Sequence, residues 1–166
     1  MCNDYGNRVP YSAYVQAFSQ IKLPPILPKA APNLEPRDDI WPTEGAPIIR
    51  RHGNGGELAQ LRWGFPPERP KAPPVIDFRS EGRRFPNGRR LVPASHFFEF
   101  TGSRSPKSKW RFTNADESWF CFAELWRRAV GDMPETFTLL TTEPGPDVSP
   151  IHRRQMIVLE RSDWRA

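Results

Sequence analysis

Cysteine is nearly absent from this sequence: Cys2 and Cys121 are the two among 166 residues. A framework of structural disulfides is therefore excluded. Histidine is also scarce, and His52, His96 and His152 lie far apart without paired-ligand spacing, so neither a metal site nor a cofactor is expected. No apolar run approaches the ~20 residues that span a bilayer, and the first residues lack the basic-then-apolar layout of a secretory signal. These absences predict a soluble cytoplasmic chain with no membrane partner.

Among what is present, proline stands out. Twenty prolines in 166 residues is more than twice the usual ~5%, which predicts short elements and long connections. The length fits one domain over residues 1–166 with a core large enough to need no staple. A formal net charge of +5 favours an anionic partner such as nucleic acid, although many basic domains bind none.

Along the chain, Tyr14, Phe18 and Ile21 follow Ser12 at helical spacing, which predicts one short amphipathic helix capped by Ser12. The next stretch, KLPPILPKAAPNLEPRDDIWPTEGAP, holds seven prolines and is expected to be an ordered coil with no regular element. APIIRR and LAQLRWGF, joined by HGNGGE, predict a hairpin with a glycine-rich turn, in which His52 is a solvated turn residue. A phosphate-binding loop is the sharper alternative there, but no Lys-Ser/Thr pair or helix follows. RRLVPASHFFEF, KWRFTN, SWFCFAELWRR, TFTLLTTEP and QMIVL add further short strands. The expected fold is α+β: a mainly antiparallel, barrel-like β core with a few short helices.

Several residues have the chemistry for a site. Removal of Met1, which small second residues permit, would leave Cys2 as a free 1,2-aminothiol. Its α-amine, with an ordinary pKa of roughly 7.7–8.0, can form an imine with an aldehyde, and its thiolate can close a thiazolidine ring on the same carbon. The plain alternative is an inert terminus. Glu99, between aromatic residues in FFEF, is a candidate for proton transfer if buried, or a solvated strand carboxylate if it points outward. His152, beside Arg153 and Arg154, suits a general base or proton shuttle, or is a loop histidine on the surface. Arg79, Arg83, Arg84, Arg89 and Arg90 interleave with Phe78 and Phe85, the composition of a single-strand groove and equally of a solvated basic face. Trp63 is either core or a stacking platform, and Cys121, among large apolar residues, is a buried small side chain.

The order of MCN, RWGF, IDFRSE, RRLVPASHFFEF, FAELW, FTLLTT and IHRRQMIVL resembles the SRAP (SOS response-associated peptidase) family over nearly the whole chain. The resemblance implies a protein of the DNA-damage response that captures abasic sites in single-stranded DNA through a thiazolidine at Cys2, associated with the nucleoid when bound to DNA and expected to be a monomer. It implies Glu99 as the residue assisting sugar ring opening, His152 as the residue handling protons in forming or reversing the link, and Arg79 as a phosphate contact. Asp77, Arg83, Arg84 and Trp63 join Arg79 as expected DNA-contacting residues.

Three departures accompany this resemblance. Asp77 stands where the family has asparagine in its N-A-R motif, and Asp4 stands where an arginine follows the family's Cys-Gly. Arg154, Gln155 and Met156 replace the R-M-P that follows the family histidine, and members of the family continue some tens of residues beyond RSDWRA, so the chain is expected to be either a short variant or one that lacks C-terminal elements. Two rival readings remain at this stage. One is a cysteine peptidase or autoprocessing hydrolase using Cys2 and His152; the other is a non-catalytic module binding single-stranded DNA.

Overall fold

Alternation along β-forming segments builds most of the chain, in a computed structural model that describes residues 3–22, 34–67, 69 and 71–165. The expected hairpin forms from β3 (Gly45–His52) and β4 (Gly55–Trp63), preceded by β1 (Tyr5–Asn7) and β2 (Arg37–Ile40). Its register runs unbroken from Gly45↔Arg62 to His52↔Gly55. Gly53, at φ 55°, supplies the left-handed angle that such a tight turn needs.

Beyond it come β5 (Asp77–Arg79), β6 (Arg89–Ala94), β7 (His96–Thr101), β8 (Ser108–Phe112), β9 (Phe120–Arg127) and β10 (Thr136–Thr142). The chain ends in β11 (Gln155–Met156), β12 (Val158–Leu159) and a 3-10 turn, Arg161–Arg165. Strand β4 pairs with β3, β3 with β6, β6 with β9, β9 with β10, and β10 again with β4. Five strands thus close into a barrel, the mostly-sheet architecture expected. Closure comes through a parallel pairing, Thr136↔Arg62 and Phe137↔Trp63, and β5 prolongs that parallel edge along β10.

Strand parity divides the core in two. Phe120 and Phe122 of β9 face inward with Tyr5, Trp63, Phe137 and Leu139. Cys121 between them faces the outer wall, where helix α1 (Tyr11–Gln20) lays Tyr14, Ala17 and Phe18 against Trp119 and Trp164. Each aromatic buried in this way contributes roughly 1.5–3 kcal/mol. Burial pushes the Cys121 thiol pKa up, as suits the inert small side chain expected of it.

Some expectations fail here. The helix begins at Tyr11 with Pro10 as its cap residue, and no side chain caps it; Ser12 lies inside the first turn, where Pro10 O accepts from Ala13 N at 3.0 Å. Proline suits that entry because its fixed φ is already extended here, at −71°. The proline-rich stretch does contain a regular element: RDDI, free of proline between Pro36 and Pro42, forms β2 (Arg37–Ile40). Residues 23–33 of that stretch lie outside the described residues. Strand β2 exists because β1 (Tyr5–Asn7) pairs with it on one side and with β7 on the other. The resulting four-stranded sheet runs β2-β1-β7-β8. Pro93 sits inside β6, opposite Cys121.

Candidate functional site

The ladder between β1 and β7 leads to the N-terminus. Tyr5 pairs with Phe97 and Gly6 with His96. One step further Phe98 N–H donates to Asp4 O at 3.0 Å, and the same register brings Asn3 level with Glu99. Cys2 lies outside the described residues; Asn3 is its described neighbour. Glu99 shares the inner face with Phe97, because side chains two apart on a strand point the same way, and it is only 1% exposed.

His152 reaches Glu99 from the connection between β10 and β11. Residues 145–151 coil tightly: Ser149 N donates to Gly145 O and His152 N to Val148 O, at 2.9 and 2.8 Å, while buried Val148 anchors the coil in the core. The Gln155 Oε1 accepts from Gly145 N at 2.9 Å and ties the two ends together. His152 Nδ1 lies 2.8 Å from Arg154 O and 3.4 Å from Glu99 Oε2. Arg154 N–H approaches the same nitrogen at 3.3 Å, so the 152–154 turn fixes the orientation of the ring beside Glu99. Glu99 and His152 share the wall of a cavity of about 470 Å³ with Asn3, Trp41, Phe100 and Lys107.

Asp77, at the start of β5, is half-buried. Burial raises its carboxyl above the usual carboxylate range, and the positive fields of Arg154 and Arg79, with His152, partly offset this. Arg154 is clamped: its guanidinium donates to both Glu81 oxygens at 2.5 and 3.0 Å and to Thr141 Oγ1 at 3.0 Å. That bidentate contact holds the Glu81 carboxyl down to about 2. Arg79 is exposed beside Asp77, as are Arg83 and Arg84 in the loop that follows. Arg83 stacks over Phe78 at 5.8 Å, and Arg84 borders an aromatic dish formed by Phe65, Phe78, Phe85 and Trp126.

Trp63 is elsewhere. It is fully buried between Tyr5 and Phe137, and its Nε1 donates to Ile76 O at 2.9 Å, so it belongs to the core and offers no face to a base. Sequence reasoning also missed Trp41, which it placed in coil, and Lys109. An exposed tryptophan next to proline in an otherwise polar stretch was the available signal for the first.

Lys109 resolves the misfit of Asp4. The Asp4 carboxylate is fully buried on the outer face of the ladder and meets the Lys109 ammonium at 2.7 Å, while the same ammonium pairs with Asp39 and lies 3.7 Å from the centre of the Phe98 ring. Burial raises the Asp4 pKa to about 6 in spite of Lys109. The acid therefore points away from solvent instead of lining a path for an anion. Among the described residues no group of three or more His, Cys, Asp or Glu could hold a metal ion, and no helix is long and apolar enough to cross a membrane.

A small closed barrel with a second sheet, carrying a buried carboxylate against an imidazole where the N-terminal strand emerges, defines the class of protein. The chain belongs to the SOS response associated peptidase (SRAP) family, whose model matches residues 1–166. It is 27% identical over 165 residues to the abasic site processing protein YoaM of Bacillus subtilis, covering 90% of this chain and 72% of that protein. To the abasic site processing protein YoqW of the same organism it is 25% identical over 166 residues, covering 90% and 73%. A crystal structure of a phage-related protein from Bordetella bronchiseptica shares the fold with a TM-score of 0.73 at 23% identity, over 99% of this chain and 80% of that one.

Proposed function

We propose that the protein captures abasic sites in single-stranded DNA as a covalent adduct at Cys2 once Met1 has been removed. The observation that carries this reading is the cavity in which Asn3, the residue after Cys2, shares a wall with the 3.4 Å Glu99–His152 pair. Family membership and the names of the Bacillus relatives support it.

The chemistry starts from the sugar. Glu99 takes the proton of the hemiacetal hydroxyl as the ring bond to C1′ breaks, and returns a proton to the ring oxygen, leaving an open aldehyde. The Cys2 α-amine adds to C1′, water departs, and an imine remains. The thiolate Sγ then bonds to the same carbon while the thiol proton passes to the nitrogen, closing a thiazolidine. His152 moves protons in the forward and reverse steps. Arg79, Arg83 and Arg84 hold phosphates, and Asp77 accepts a hydrogen bond from the amine or the ring nitrogen. Trp63 acts only by holding the barrel.

Denaturing gels test the reading. An adduct with an abasic single-stranded oligonucleotide should form with the wild type and vanish in Cys2→Ala; an adduct that persists in Cys2→Ala overturns it. Cleavage of peptides in trans, with no DNA adduct, would favour the hydrolase reading instead.

A further inference from the structure

Four large apolar side chains are well exposed among the described residues: Trp41, Trp110, Val130 and Met133. Of these, Trp41 alone lines the cavity that holds Glu99 and His152. An indole left 40% open to solvent at the wall of a polar cavity loses the stabilisation that burial would bring, so a partner that covers it gains from contact.

The indole is also held in place. Trp41 N donates to Glu44 Oε2 at 2.8 Å, Glu44 N returns to Trp41 O at 3.2 Å, and Thr43 N anchors the turn to Trp63 O at 2.8 Å. Glu44 is itself fixed by an ion pair with Arg37. Phe100 backs the indole at 6.4 Å between ring centres with the planes 30° apart, and the Lys109 ammonium lies 5.5 Å from the indole centre. A rigid aromatic surface loses little conformational freedom on binding. Lys107, on the same wall, supplies positive charge beside it.

We propose that Trp41, backed by Phe100, is a stacking subsite for the unpaired nucleobase adjoining the nucleotide that reacts at the Glu99–His152 pair. Flat aromatic faces beside positive charge are what single-stranded nucleic acid recognises, since every base has a π-face and every linkage a phosphate. The occupant is thus a base of single-stranded DNA, and the subsite rests on the substrate class proposed above. Stacking there orients the strand so that the sugar missing its base faces Asn3 and Glu99.

The test uses oligonucleotides whose central nucleotide is a tetrahydrofuran analogue, which has no aldehyde and reports binding without chemistry. Trp41→Ala should bind about tenfold or more weakly than wild type, Trp41→Phe should recover most of the loss, and the wild-type tryptophan emission quenched by the strand should be diminished in Trp41→Phe. Removing the base on one side of the analogue should weaken wild-type binding and abolish the difference between wild type and Trp41→Ala. An equal loss in Trp41→Ala whether or not either neighbouring base is present would overturn the subsite, as would no loss at all. Adduct formation by the wild type on a true abasic strand is measured separately. Its failure would remove the covalent reading while the base-dependent binding still decides the role of Trp41.

Discussion

Two buried carboxylates flank the ladder that leads to the N-terminus, and their partners differ. On the outer face Asp4 meets the Lys109 ammonium at 2.7 Å; on the inner face Glu99 meets the His152 imidazole at 3.4 Å. Lysine stays charged through the neutral range, and the Lys109 ammonium is shared between Asp4 and Asp39. The His152 imidazole and Glu99 instead share the wall of a cavity, within reach of a substrate. A carboxylate at nearly the same burial is thus clamped by a lysine in one place and set beside a cavity in the other. What differs is the partner and the access to the cavity.

The sharpest way to break this comparison is to neutralise each side. Glu99→Gln should slow adduct formation with abasic single-stranded DNA by ~10²–10⁴-fold while leaving the unfolding midpoint within a few degrees of wild type. Lys109→Met should act on stability, lowering it by about 2 kcal/mol, because it strands a buried acid that escapes the full penalty by taking up a proton. Adduct rates and thermal unfolding on both variants decide the matter. If Glu99→Gln proves mainly a stability defect with an unchanged rate per folded molecule, the inner pair is a clamp too.

The outer face is also where the ladder is tightest. A Cβ on Gly6 would lie 2.6 Å from Asp38 O and closer still to the His96 ring, which is pinned between Asp38 O at Nε2, 2.9 Å away, and Arg111 at Nδ1, 3.3 Å away. Gly6→Ala should therefore destabilise by about 3 kcal/mol through overpacking. Gly45→Ala, where a Cβ meets nothing within 4 Å, should stay within about 0.5 kcal/mol. Denaturant titration of the two glycine variants tests whether the fit against His96 fixes β1; equal effects would show that it does not.

How much of this was legible in the sequence follows from which contacts are local. The β3–β4 hairpin was legible because alternation and Gly53 specify it within twenty residues. Glu99 could be singled out as a carboxylate among aromatics, and once β7 is a strand its parity with Phe97 places it inward. Strands β1 and β2 were not legible: they are three and four residues long, carry no strong alternation, and exist because β1 pairs with β7 some ninety residues away and β2 with β1. Trp41 was lost with them, since only β2 makes its position part of a wall. The Arg154–Glu81 clamp joins segments 73 residues apart, and the parallel closure of β10 on β4 leaves no local pattern. The departure at Asp4 looked unfavourable in sequence because the register that turns it toward Lys109 is equally non-local.

The pH dependence of stability gives the finest test of the outer pair. The folded-state pKa of Asp4, about 6, lies above its ordinary 3.8. The folded protein therefore binds that proton more tightly than the unfolded chain, so the contribution of Asp4 is fullest below pH ~4, declines as pH rises toward 6, and is level above that. Glu81 has the opposite sign in a lower window: with its pKa held at about 2, its contribution is present above 4.5 and is lost as pH falls toward 2. Between pH 4 and 6 the stability of wild type relative to Asp4→Asn should fall by an amount on the order of 2 kcal/mol and then stay constant to pH 7.5, as followed by urea denaturation at each pH. A relative stability that rises over that window would mean that the attraction of Lys109 outweighs burial. The outer pair would then be a stabilising ion pair, instead of an acid kept in place at some expense to fix the path of β1.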